Sequence, residues 1–276
     1  MTRRELTWVL GVLGAGLATV ADFAPPSYAR PPEPKELIVY AAASLREVFQ
    51  DLATAFEKNH QGVKVRFNFA GSQELRVQIE NGAEVDVFAS ADDKQMVALQ
   101  RQSLLSASAI FAQNQPVLVV PTANPAGLTS FADLPRAEHI VVGVPEVPIG
   151  AYAETVFANA ERFFGKPFGE RIAAHIHSRE LNVRQVLTKV ALGEADVGIV
   201  YKTDALAAKD RVSMIPIPQA VNVTAWYPIG VLASSPHPEL ARAWVGAALA
   251  KQGQDTLAAA GFNPPPPARM PAKAGK

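Results

Sequence analysis

Tyr40-Ala41-Ala42-Ala43-Ser44-Leu45-Arg46-Glu47 marks the point where a largely apolar run, Glu36 to Ala43, gives way to helical spacing. The run does not alternate, which suits a strand covered on both faces, as in a parallel sheet. Beyond it Leu45, Val48, Phe49, Leu52, Ala55 and Phe56 follow i, i+3, i+4, i+7 spacing, predicting an amphipathic helix from Ser44 to about Lys58. A strand that ends at a helix amino terminus presents unpaired N–H groups and the positive end of a dipole, the simplest protein site for an anion. Ser44 with Glu47 three residues on also has the spacing of a capping box, a purely structural use of the same residues.

The pattern then repeats. Val63, Val65, Phe67 and Phe69 predict a second strand that stops at Ala70-Gly71-Ser72 before Leu75, Gln78 and Ile79 at helical spacing. Val85 to Ser90 predicts a third buried strand, followed by an acidic helix start at Ser90 to Asp93. Strand alternating with helix places the chain in the α/β class. A strand at Pro116 to Val120 lies where the chain leaves one lobe for another. The second lobe opens with a strand at His139 to Val144 and the loop Pro145 to Gly150. Helices follow from about Ala151 to Phe163, from about Gly169 to His175, and from Val183 to Leu192, the last with Asn182 as cap and Gln185 as its capping-box partner. Strands at Ala195 to Tyr201, Val212 to Ile217 and Trp226 to Ala233 come next. Helices at Pro238 to Ala250 and Gln254 to Ala260 close the fold, with Gly261 as a carboxy-terminal cap.

Composition narrows the functional classes. Lys+Arg and Asp+Glu both count 26, so no net charge draws nucleic acid or anionic membrane, and an anion must be caught locally. There is no cysteine, which excludes disulfides, thiolate metal sites and cysteine nucleophiles. Arg3-Arg4 ahead of the uncharged stretch Leu6 to Ala21 reads as a signal peptide over residues 1–29, with cleavage after Ala21 or Ala29, and an export address implies a periplasmic protein. Residues 30–35 read as a linker and 265–276, rich in proline, as a disordered tail.

Ser44, Gly71-Ser72, Ile149-Gly150 and Asn182-Val183 all stand where a strand or loop feeds a helix, at the carboxyl edge where open α/β sheets bind ligands. Competing chemistry is weak. Ala70-Gly71-Ser72-Gln73-Glu74 fails the Gly-x-Ser-x-Gly elbow, no phosphate-cradling Gly-rich loop occurs, and no acid/base pair can be named, which argues against a cleft enzyme. Asp86, Asp92 and Asp93 lack the alternation of a calcium loop, and His175 and His177, read on one helix, do not face one point. Tyr201 ends the strand Ala195 to Val200, where its hydroxyl can enter a crevice or its ring can simply pack in a core.

Taken together, Tyr40-Ala41-Ala42-Ala43-Ser44-Leu45, Phe69-Ala70-Gly71-Ser72-Gln73-Glu74-Leu75, Asp86-Val87-Phe88-Ala89-Ser90-Ala91-Asp92, Val147-Pro148-Ile149-Gly150-Ala151-Tyr152, Asn182-Val183-Arg184-Gln185 and Gly198-Ile199-Val200-Tyr201-Lys202-Thr203-Asp204 resemble the periplasmic substrate-binding proteins of molybdate ABC importers, over about Glu36 to Pro264. The resemblance implies two α/β lobes, 36–114 with 222–264 and 115–221, each a mostly parallel sheet flanked by helices and joined by two crossover strands. The lobes would close over molybdate or tungstate. It implies no cofactor, no catalysis, a monomer, and an inner-membrane permease with its ATPase as partners. It assigns oxyanion contacts to Ser44 and Ser72 through hydroxyl and N–H, to Ile149 and Val183 through N–H, and to Tyr201 through its hydroxyl. Ile149 stands where alanine is familiar, and the turn at Gly71-Ser72-Gln73 is poorer in serine than usual. Sulfate, another oxyanion or ferric iron are the nearest other ligands, though iron capture calls for clustered tyrosines.

Overall fold

Strand β1 (Lys35–Ala42) carries the apolar run, with Leu37, Val39 and Ala41 fully buried. It begins one residue inside the expected linker. The computed structural model describes residues 34–267; the export segment at 1–29, the linker up to 33 and the tail from 268 lie outside that range.

β1 pairs in parallel with β2 (Val63–Ala70) and β3 (Val87–Ala89), and the sheet continues antiparallel through β10 (Ala225–Leu232) to β4 (Leu105–Asn114), in the order β2-β1-β3-β10-β4. The second sheet has the order β7-β6-β8-β5-β9, with β5 (Pro116–Pro121), β6 (Ile140–Gly143), β7 (Ile176–Glu180), β8 (Val197–Tyr201) and β9 (Val212–Ile215). Here β6 is parallel to β7 and β8, while β5 is antiparallel to β8 and β9. Each sheet therefore has a parallel half and an antiparallel half. The chain passes between them at Gln115, which alone separates β4 from β5, and again over 216–224.

Helices cover the sheets: α1 (Arg46–Asn59), α2 (Ser72–Glu80), α3 (Asp93–Arg101), α4 (Pro148–Phe164), α5 (Lys166–Ala174), α6 (Val183–Ala191), α7 (Lys202–Ala207), α8 (Pro238–Leu249) and α9 (Lys251–Ala259). α1 buries Val48, Phe49, Leu52 and Phe56 of the stripe its periodicity predicts, with Ala53 buried in place of the half-buried Ala55. Phe49 and Phe56 meet Trp244 of α8 edge-on, with ring centroids 5.6 and 5.3 Å apart. Each buried ring contributes roughly 1.5–3 kcal/mol, and truncating Phe49 to alanine would cost about 3–5 kcal/mol. That packing holds the first turn of α1 against the sheet edge.

Register does the rest of the positioning. β1 and β2 stay paired to Ala42↔Ala70, and Ala41 pairs with Ala89, so three strands of the first sheet stop at one level. In the second sheet Gly143 of β6 pairs with Glu180 of β7, which sets the loop before α4 beside Leu181-Asn182 before α6. β7 and most of β4 are strands that the sequence pattern did not reveal. β7 reads Ile-His-Ser-Arg-Glu on a half-exposed edge, with no apolar alternation to betray it. His177 consequently lies on a strand, not on a helix beside His175, which ends α5.

Candidate functional site

Ser44, Ser72, Ile149, Val183 and Tyr201 line one small cavity between the two sheets' carboxyl edges, with Ala42, Ala43, Ala70, Gly71, Ala91, Val147, Pro148 and Asn182 completing its wall. Its volume is ≈ 20 Å³. One water needs about 10–15 Å³ and organic ligands usually occupy some hundreds, so the site suits a compact ion. None of the lining residues carries a charge.

Each element delivers its donors for a local reason. In α2 the cap position is Gly71, which has no side chain to satisfy the first amides, so the Ser72 N–H begins the helix free of any intrahelical acceptor. The Ser72 hydroxyl accepts the Ala91 N–H at 3.1 Å, which turns its own proton elsewhere. In α4 the first position is Pro148, which has no N–H, so Ile149 supplies the first amide. In α6 the Asn182 side chain accepts from Arg184 N–H at 3.0 Å and Gln185 N–H at 3.1 Å, which leaves the Val183 N–H as the amide at this end without that cap. Asn182 caps as expected. Gln185 departs from the capping-box pattern by reaching one residue further, accepting the Leu181 N–H at 2.9 Å.

Ser44 departs from its expected capping role. The helix opens with a 3-10 turn over Ala43–Leu45, so Ser44 already sits inside helical backbone and makes no cap hydrogen bond. Its hydroxyl bonds instead to Tyr227 Oη at 2.9 Å, and Glu47 turns to Arg184. Tyr227 carried no sequence signal, because its position beside Ser44 follows from a strand 183 residues away.

Tyr201 ends β8 with its ring against Tyr152 and Tyr227, at centroid distances of 6.3 and 5.6 Å. Its hydroxyl is buried and has no hydrogen-bond partner among the described residues. Burial pushes the phenol well above its ordinary pKa, so at neutral pH it is a donor. The Asp204 carboxyl, wholly buried at the start of α7, is pushed up to about 6 by burial, with Arg184 pulling the other way at 2.9 Å.

The two lobes touch around the cavity. Gln73 Nε2 donates to the Leu181 carbonyl at 3.0 Å, and Arg184 of α6 pairs with Glu47 of α1. A Cβ on Gly71 would stand 2.6 Å from the Leu181 oxygen, so glycine is what lets the lobes meet there. A Cβ on Gly150 would meet the Val144 carbonyl at 2.0 Å, so the first turn of α4 can tuck under its own loop only with glycine. Chemically the site gathers hydroxyl and amide donors with no acid/base pair, which suits an anion and not a cation.

Residues 37–263 match the sequence profile of the bacterial extracellular solute-binding proteins. A molybdate-binding protein of Mycobacterium bovis is 36% identical over 263 residues, spanning 93% of this chain and 96% of that one. Among solved structures, the substrate-binding domain of a putative molybdenum ABC transporter from Clostridium difficile superposes with a TM-score of 0.63 at 28% identity, over 83% of this chain and 98% of that one. The periplasmic molybdate-binding protein of Azotobacter vinelandii has a TM-score of 0.73 at 22% identity, over 83% of this chain and all of its own, a likeness of fold.

Proposed function

The chain belongs to the bacterial extracellular solute-binding proteins, among the molybdate-binding proteins of ABC importers, and from that premise we propose that it captures molybdate, and tungstate with it, by closing its lobes over the oxyanion. The observation that carries this reading is the small cavity between the lobes, lined by no charged residue and by hydroxyl and helix-start amide groups able to donate. A fully deprotonated tetrahedral dianion presents acceptors on every face, so such a lining can satisfy all of it. Amides at the starts of three helices offset part of its lost hydration without a neutralising arginine. The contacts are Ser44 and Ser72 through hydroxyl and N–H, Ile149 and Val183 through N–H, and Tyr201 through its hydroxyl. Discrimination from sulfate, equal in charge but smaller, rests on the size of the cavity.

Binding and release require no bond to break, so the protein acts as a carrier and not as an enzyme. The lobes comprise 36–114 with 222–264 and 115–221. An amino-terminal address over 1–29 exports the monomer to the periplasm, where the closed form docks on a membrane permease driven by its ATPase. Within 34–267 no helix is long and apolar enough to cross a membrane. Denaturing the protein purified from molybdate-fed cells and measuring the released anion by elemental mass spectrometry tests the reading. It predicts molybdenum, or tungsten where tungstate is supplied, near one per chain; neither metal above background would overturn it.

A further inference from the structure

Gln73 and Gln185 belong to opposite lobes, and neither lines the cavity. Both engage the same residue. Gln73, in the first turn of α2, donates through Nε2 to the Leu181 carbonyl at 3.0 Å, while Gln185 of α6 accepts the Leu181 N–H through Oε1 at 2.9 Å. Leu181 lies in the two-residue link between β7 and α6 with its side chain 56% exposed, so its own packing does little to fix it. Gln185 therefore steadies, from its own lobe, the carbonyl that Gln73 reaches from the other. A Cβ on Gly71 would stand 2.6 Å from both Nε2 and Oε1 of Gln73, so the amide lies across that glycine, which is part of the cavity wall. Gln73 Oε1 is buried with no hydrogen-bond partner among the described residues, which leaves the Leu181 bond as the one this amide makes among them.

We propose that Gln73 is a positioning residue for retention of the ligand: its amide clasps the Leu181 carbonyl once the lobes have met, with Gln185 holding that carbonyl in place, and so sets how fast the bound oxyanion leaves and not how fast it arrives. This rests on the oxyanion reading of the site. An anion entering the parted lobes arrives before the Gln73–Leu181 bond exists, so arrival does not depend on it. Departure does, because the lobes must part and the bond must break first. One such bond between neutral groups changes an equilibrium constant roughly 2- to 12-fold. Salt does not screen it, in contrast to the Glu47–Arg184 ion pair across the same cleft. The reach of Gln185 past the cap residue to Leu181 also gains a use, since it orients the group offered to the facing lobe.

Gln73→Met tests the clasp, because it keeps the length of the side chain and removes the donor. Protein loaded with molybdate is chased with excess tungstate, and the molybdenum retained is followed by rapid filtration and elemental mass spectrometry; calorimetric titration gives the affinity, and the two together give the rate of capture. The variant should release molybdate roughly 2- to 12-fold faster and bind it more weakly by the same factor, at low and at high salt alike, with capture and ligand-free melting temperature unchanged. Gln185→Met should speed release by a smaller factor, and the double variant should release no faster than Gln73→Met alone, because both side chains act through Leu181. Gln73→Glu, which sets an acceptor against the carbonyl, should release faster still, and it carries the test if Gln73→Met does not fold. A folded Gln73 variant that releases as slowly as the wild type, one that is slow in capture instead, or a double variant whose effects simply add would overturn the clasp. A wild type that binds neither molybdate nor tungstate would instead overturn the functional reading on which the clasp depends.

Discussion

Replacing Tyr201 with phenylalanine should weaken ligand binding without weakening the fold, and the two effects can be sized separately. The hydroxyl lies in a side chain that is only 1% exposed and has no hydrogen-bond partner among the described residues. The ring contacts to Tyr152 and Tyr227 survive the change. A hydrogen bond to a charged group is worth about 1.5–3 kcal/mol net, so affinity for molybdate should fall roughly 10- to 150-fold. Stability without ligand moves the other way. An unpaired buried hydroxyl costs about 1–3 kcal/mol, reduced where a water can enter, and a cavity of ≈ 20 Å³ has room for about one. The ligand-free variant should therefore be as stable as the wild type or more stable by up to about 1 kcal/mol. Denaturant unfolding without ligand and calorimetric titration with molybdate read both quantities. A variant that loses stability while keeping its affinity would show that the hydroxyl serves the core and that the donor assignment is mistaken.

The interlobe contacts and the buried carboxyl yield further expectations. Glu47→Gln removes a half-exposed partner of Arg184 across the cleft, worth about 0.2–1 kcal/mol, so affinity should drop by no more than about fivefold and less at high salt. Titration at two ionic strengths checks this. Gly71→Ala places a methyl 2.6 Å from the Leu181 carbonyl of the facing lobe, so affinity should fall at least about tenfold while the ligand-free melting temperature stays close to that of the wild type. A matched loss of both would move the effect from closure to folding. Asp204, raised to about 6 from an ordinary 3.8, binds more protons folded than unfolded across that window. Its contribution to stability is full below about pH 4 and is lost as pH rises through about 6. Asp204→Asn should remove that slope from a plot of melting temperature against pH.

The sequence disclosed what local periodicity and strand ends can encode. Each change from apolar run to helical spacing fell where a strand meets a helix, and Ser44, Ser72, Ile149, Val183 and Tyr201 do reach one cavity. The Asn182 cap was legible because asparagine before an apolar helical stripe has one dominant local use, and Gly261 adopts φ 96 after α9 for a similar reason. Long-range register was not legible. Tyr227 meets Ser44 only through the antiparallel pairing of β10 with β3, and Asn114 meets Thr203 only because β4 and α7 come from opposite ends of the crossing. The capping box expected at Ser44 and Glu47 fails for the same reason. A tyrosine 183 residues away takes the hydroxyl, and an arginine 137 residues away takes the carboxylate. β7 escaped detection because an edge strand with half-exposed polar residues has no face that must be apolar.

Calorimetric titration of the mature, ligand-free protein with molybdate, tungstate and sulfate under one set of conditions tests the central claim most directly. The uncharged, donor-lined cavity predicts tight one-to-one binding of molybdate and of tungstate, with sulfate far weaker because it is too small to reach donors on both lobes at once. Absence of heat with both metal oxyanions, or sulfate binding as tightly as molybdate, would contradict it.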